Sequence, residues 1–115
     1  MDQNCLFCKV AAGAIPARIA YEDDDVFAFH DIDPRAPVHV LLIPREHIAS
    51  VNDLTESQAV IIGGLFLKAR DLARELGVSD SGYRLVMNTG GDAGQSVAHI
   101  HLHLLGGRPL KWPPG

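Results

Sequence analysis

The sequence is short of cysteine, has no excess of positive charge, and contains no long apolar run. Only two of its 115 residues are cysteines, which argues against a disulfide framework. Cys5 and Cys8 lie three positions apart, and in a cytosolic protein that spacing points to metal binding or redox chemistry. Ten Lys and Arg stand against fourteen Asp and Glu, a formal net charge of −4. That balance argues against broad nucleic-acid binding. No apolar stretch approaches the roughly 18 residues of a membrane span. The opening Met1-Asp2-Gln3-Asn4 lacks the basic segment and apolar core of a signal peptide. A cytoplasmic location is expected, with neither nucleic acid nor membrane as partner. Repeats, low-complexity segments and linkers are also missing, so residues 1–115 are expected to form one domain.

What is present reads as an antiparallel α+β domain. Residues 5–12 suit a short helix stopped by Gly13 and Pro16. Residues 18–21 and 26–30 suit a hairpin around the acidic turn Glu22-Asp23-Asp24-Asp25. Pro34 and Pro37 make 33–37 a loop, and 38–43 is a strongly apolar strand ending at Pro44. The main helix is expected over 56–76. Thr55 and Gln58 have capping-box spacing, Ile62, Leu65, Phe66, Ala69, Leu72, Ala73 and Leu76 keep helical period, and Gly77 is a natural stop. Gly63-Gly64 inside it is either a weak point or a place of close approach. Strands over 83–88 and 98–105 flank a glycine-rich loop at 89–95. Five strands and one main helix without regular alternation give the α+β class.

The last strand carries His99-Ile100-His101-Leu102-His103-Leu104-Leu105. Side chains on a strand alternate faces, so the three imidazoles are expected on one face and the aliphatic residues on the other. Histidine can act as acid, base, nucleophile or ligand near neutral pH. If one nitrogen of His101 donates to a backbone carbonyl, its tautomer is fixed and the other nitrogen is exposed as a nucleophile, with phosphorus as a plausible target. His103 and His39 are candidate donors to phosphoryl oxygens. The preceding Thr89-Gly90-Gly91-Asp92-Ala93-Gly94-Gln95-Ser96 has the composition of an anion-binding loop, because glycines let backbone N–H groups approach a phosphate. Three histidines on one metal ion are disfavoured by the roughly 7 Å between same-face positions on a strand.

At these residues the chain resembles the histidine-triad family, marked by His-x-His-x-His-x-x with every x apolar. The likeness extends to Ala28-Phe29-His30-Asp31-Ile32, Ala36-Pro37-Val38-His39, Ile43-Pro44-Arg45-Glu46-His47 and Gly94-Gln95-Ser96-Val97. The endings Leu105-Gly106-Gly107-Arg108 and Trp112-Pro113-Pro114-Gly115 resemble its nucleoside phosphoramidase branch. The resemblance implies a five-stranded antiparallel sheet with one main and one short N-terminal helix, paired across a homodimer. It implies hydrolysis of the P–N bond of adenosine or guanosine 5'-phosphoramidates, with aminoacyl-adenylates as related substrates. By this match His101 is the nucleophile, supported by His103, His39 and His99. Asn88, Gly94, Gln95, Ser96 and Val97 match the phosphate loop, and Asp31 the carboxylate that holds the ribose. Leu6, Phe7, Val10, Ile15, Phe29, His30 and Ile32 match the nucleoside pocket, with ordinary core packing as their alternative. Trp112 matches a residue that approaches the partner's leaving group.

The cysteine pair departs from the best-known members of that branch. Some bacterial triad proteins carry such a pair and bind structural zinc, which implies Cys5, Cys8, His47 and His99 as four tetrahedral ligands. Zinc would orient the triad strand and take no part in the chemistry. Two other functions share the same pocket: a nucleotide-binding regulatory module with incidental hydrolysis, and a dinucleoside-polyphosphate hydrolase.

Overall fold

A computed structural model describes residues 4–115; Met1–Gln3, part of the segment read above for targeting, lie outside the described residues. The chain forms α1 (Leu6–Ala11), β1 (Ile19–Glu22), β2 (Val26–His30), β3 (Val38–Pro44), α2 (Ala59–Glu75), β4 (Tyr83–Val86) and β5 (Leu102–Gly106), with two single 3-10 turns before α2. The strands make one antiparallel sheet in the order β1-β2-β3-β5-β4. This is the expected α+β architecture.

Alternation along the central strands gives the sheet two covered faces. Val26, Ala28, Val40, Leu42, Leu102 and Leu104 meet Leu65, Ala69, Leu72 and Ala73 of α2, the i, i+4, i+7, i+8 stripe of an amphipathic helix. On the other face Phe27, Phe29, Leu41 and Ile43 meet Cys5, Phe7, Cys8, Val10 and Ala11 on and beside α1. Being covered on both sides explains why β3 is almost continuously apolar. His39 and His103 share the α1 face with Leu41. Cross-strand pairing sets His39 opposite Leu105 and His103 opposite Leu41, so the two histidines are diagonal neighbours.

Most boundaries fall within two residues of the expected ones. The main helix opens as a 3-10 turn over Glu56–Gln58 before becoming α-helical at Ala59. There Thr55 and Gln58 form the expected capping box, in which the Gln58 side chain accepts the Thr55 N–H at 3.0 Å. The larger difference is in the last strand, which pairs only from Leu102, not from 98. The register would bring Ile100 beside Pro44, which has no N–H to give. Ile100 instead donates to the Ile48 carbonyl at 2.7 Å. His99 and His101 therefore precede the ladder, while His103 stands within it.

Candidate active site

The turn of backbone after the glycine loop divides the three histidines between two places. His99 is fully buried. Its Nε2–H donates to the Pro44 carbonyl at 2.8 Å, so Nδ1 keeps its lone pair. That nitrogen lies 3.3 Å from Cys5 Sγ and 3.5 Å from Cys8 Sγ, and His47 Nδ1 lies 3.4 Å from Cys8 Sγ. One donor atom from each of Cys5, Cys8, His47 and His99 falls within 4.8 Å of the others. Two thiols and two imidazoles suit zinc, and a backbone carbonyl that orients the ligating imidazole is the usual outer support of such a site. The residues fit the metal that the sequence implies. Both ring nitrogens of His99 are engaged away from the cavity described next, which leaves it no part as acid or base.

His101 Nδ1–H donates to the His99 carbonyl at 2.8 Å. Its Nε2 is therefore unprotonated in the neutral ring, the state a nucleophile requires. Phe7 packs in a T-shaped arrangement with the ring, with centroids 5.0 Å apart. The neighbouring pair is fixed by a chain of three hydrogen-bonding groups. Arg35 N–H donates to His39 Nδ1 at 3.1 Å. This assigns the His39 proton to Nε2, which lies 2.9 Å from His103 Nδ1 and donates to it. His103 must in turn carry its proton on Nε2, as a donor. Burial pushes the His39 pKa down, against the pull of Asp31, whose Oδ2 is 3.5 Å from His39 Nε2. Burial, then the neighbouring His101 and His39, push His103 down to about 4. Asp31, His39 and His103 also converge closely enough to suggest a metal site. The hydrogen bonds argue otherwise, because His39 Nε2 carries the proton that a ligand would have to lack.

His101 and His103 line a cavity of about 340 Å³, within the range of small-ligand sites. Leu6, Phe7, Val10, Ile15, Phe29, His30, Asp31, Ile32 and Ser96 line it, all of them expected from the sequence. Pro16, Ala17 and Leu41 also line it and carried no chemical signal to mark them. A second cavity of about 460 Å³ lies beyond the Val10–Ile15 wall toward Arg45 and holds none of the histidines. Val97 packs beside the Phe7–Phe29 cluster and not into the site cavity.

The glycine loop bends through left-handed Gly90 and Gly94. Gln95 braces it: its Oε1 accepts the Gly90 N–H at 3.0 Å, and its Nε2 donates to the Ala49 and Val97 carbonyls. Its backbone N–H also returns to the Gly90 carbonyl. The side chain shapes the loop and is not held out toward the cavity. Asn88 is half-buried just beyond β4. Trp112 is 82% exposed and away from its own chain's cavity. Arg35, which sets the His39 tautomer, was not foreseen; it acts through its backbone N–H, which leaves no mark on residue type.

The chain is similar to known proteins over nearly its whole length. Residues 12–110 match the family model described as the HIT domain. A purine nucleoside phosphoramidase of Escherichia coli is 46% identical over 110 residues, covering 96% of this chain and 92% of that one. An uncharacterized HIT-like protein of Synechocystis is 48% identical over the full length of both. The crystal structure of a HIT family hydrolase from Legionella pneumophila superposes with a TM-score of 0.96 at 51% identity, covering 97% of this chain and all of the other.

Proposed function

The chain belongs to the HIT family and is a hydrolase of that type, and from that premise we propose that it is a purine nucleoside phosphoramidase. The observation that carries the reading is the locked His101 tautomer in the lining of a largely apolar cavity. The apolar walls suit a purine held by area and stacking, with little to discriminate adenine from guanine. Asp31 at the rim suits the ribose hydroxyls as their acceptor.

In the proposed reaction the His101 Nε2 lone pair attacks the phosphorus. The P–N bond breaks, and the amine leaves after taking up a proton from solvent. His103 Nε2–H donates to the phosphoryl oxygens as charge builds on them. The product is a nucleotidyl-histidine. Water then gives hydroxide to phosphorus, a proton is released, and the P–Nε2 bond breaks to yield the nucleoside monophosphate.

Cys5, Cys8, His47 and His99 hold zinc in this reading. Its contribution is structural: it ties the start of α1 to the residue whose carbonyl orients His101. A cytoplasmic setting keeps such thiols reduced. The chain works as a homodimer. β4 is an edge strand available for pairing, and α2 presents Val60, Phe66 and Leu67 outward. A second copy also gives the exposed Trp112 a cavity to approach.

A turnover screen with adenosine and guanosine phosphoramidates, diadenosine polyphosphate and an aminoacyl-adenylate tests the proposal. The phosphoramidates should give the highest kcat/KM. A rate near the uncatalysed level on all four would favour a binding module, and preference for the polyphosphate would favour the other hydrolase.

A further inference from the structure

The corner that follows β5 reaches back to the loop that fixes the imidazole chain. Gly107 takes φ +92°, and a Cβ there would meet Pro37 Cβ at 2.9 Å. The backbone of the corner thus lies directly on the 33–37 loop. One residue on, Arg108 donates to the Arg35 carbonyl from both Nε (3.0 Å) and Nη2 (2.9 Å), with Nη1 on the Pro109 carbonyl at 2.9 Å. Among the described residues no carboxylate pairs with this guanidinium, so all three donors serve the backbone. Arg35 is therefore gripped at both ends: its C=O by Arg108 and its N–H by His39 Nδ1.

We infer that Arg108 is a positioning residue for catalysis, acting through the Arg35 backbone on His39 and His103. The fork of the guanidinium holds the carbonyl in one orientation. That orientation aims the Arg35 N–H at His39 Nδ1, keeps the His39 proton on Nε2, and makes His103 a donor toward the phosphate. Releasing the carbonyl lets the loop turn and leaves the two histidines free to exchange tautomers. Arg108 itself touches no substrate, and it does not line the cavity. The inference rests on the phosphoramidase reading for its catalytic consequence, but not for its effect on the tautomers.

The test uses the full chain, wild type, R108K and R108A, with histidines labelled at nitrogen. NMR correlations through the ring report which nitrogen of each imidazole carries the proton. In the wild type, His39 and His103 should each be protonated at Nε2 alone. In R108A at least one of the pair should become a mixture of tautomers. Its kcat on an adenosine phosphoramidate should fall about ten- to a hundredfold, while the affinity for adenosine monophosphate stays within about twofold, since Arg108 is outside the cavity. R108K keeps the charge without the fork and should lie between the two. It also serves as the informative variant if R108A does not fold. Unchanged tautomers in folded variants would overturn the inference, and so would shifted tautomers with unchanged kcat. Shifted tautomers in a protein whose wild type hydrolyses no phosphoramidate would instead count against the proposed function.

Discussion

Replacing Gly107 by Ala should destabilise the protein and slow it together. Two costs are visible at this position. The residue sits at φ +92°, where an L side chain loses roughly 1–2 kcal/mol. The added methyl carbon would also meet Pro37 Cβ at 2.9 Å and Cγ at 3.3 Å. The proline ring cannot swing away as a long side chain would, so overpacking of about 1–3 kcal/mol is expected. Together these come to about 2–5 kcal/mol. With an unfolding entropy near 0.24 kcal/mol/K for a chain of this length, Tm should drop by about 8–20 °C. The assay is thermal unfolding at fixed protein concentration, followed by circular dichroism. The double variant G107A/P37G separates the two costs, because removing the Pro37 side chain relieves the clash and leaves the backbone strain. The Tm drop from P37G to the double variant should be smaller than the drop from wild type to G107A. A drop below about 2 °C for G107A, or an equal drop in the P37G background, would refute the packing described between this corner and the loop.

Other outcomes follow from the core, the histidines and the cysteine cluster. Leu65, fully buried between α2 and the sheet, should cost about 2.7–5 kcal/mol when cut to Ala, read from urea unfolding. His103 resists protonation until about pH 4, whereas an unfolded histidine takes a proton near 6.5. Between those values the unfolded chain binds the extra proton, so stability should fall as pH drops through the window. The decline between pH 7 and 5 should be shallower in H103Q, and an equal decline would contradict the neutral assignment. Metal analysis of protein purified under reducing conditions should find zinc near one per chain, and C5S/C8S should lose it. A ratio near zero in the wild type would remove zinc from the account.

Much of this site was legible because its chemistry is carried by residue type at fixed spacing. The alternating histidines, the apolar run of β3 and the glycine loop each declare themselves in the chain. Leu6, Phe7, Phe29 and Ser96 were placed by resemblance, and they line the cavity. What the sequence hid is what the backbone does. The ladder of β5 starts late because its neighbour there is Pro44, a consequence of cross-strand register rather than of local pattern. His99 and His101 look alike in sequence and each donates a ring N–H to a backbone carbonyl, but His99 turns its free nitrogen to two sulfurs while His101 lines the cavity. Arg35 sets a tautomer through an N–H that almost any residue would supply. Gln95 has the look of a phosphate contact, yet its amide ties the Gly90 N–H of the loop to the Ala49 and Val97 carbonyls outside it.

The His101 tautomer leaves Nε2 free to bond to phosphorus. Rapid acid-free quenching during turnover of an adenosine phosphoramidate, followed by peptide mass spectrometry, tests it directly. An adenylyl group is expected on the peptide containing His101, forming and decaying at rates that match turnover, and absent in H101A although that variant still binds adenosine monophosphate. An adenylyl group on another residue, or full turnover by H101A, would contradict this role of His101.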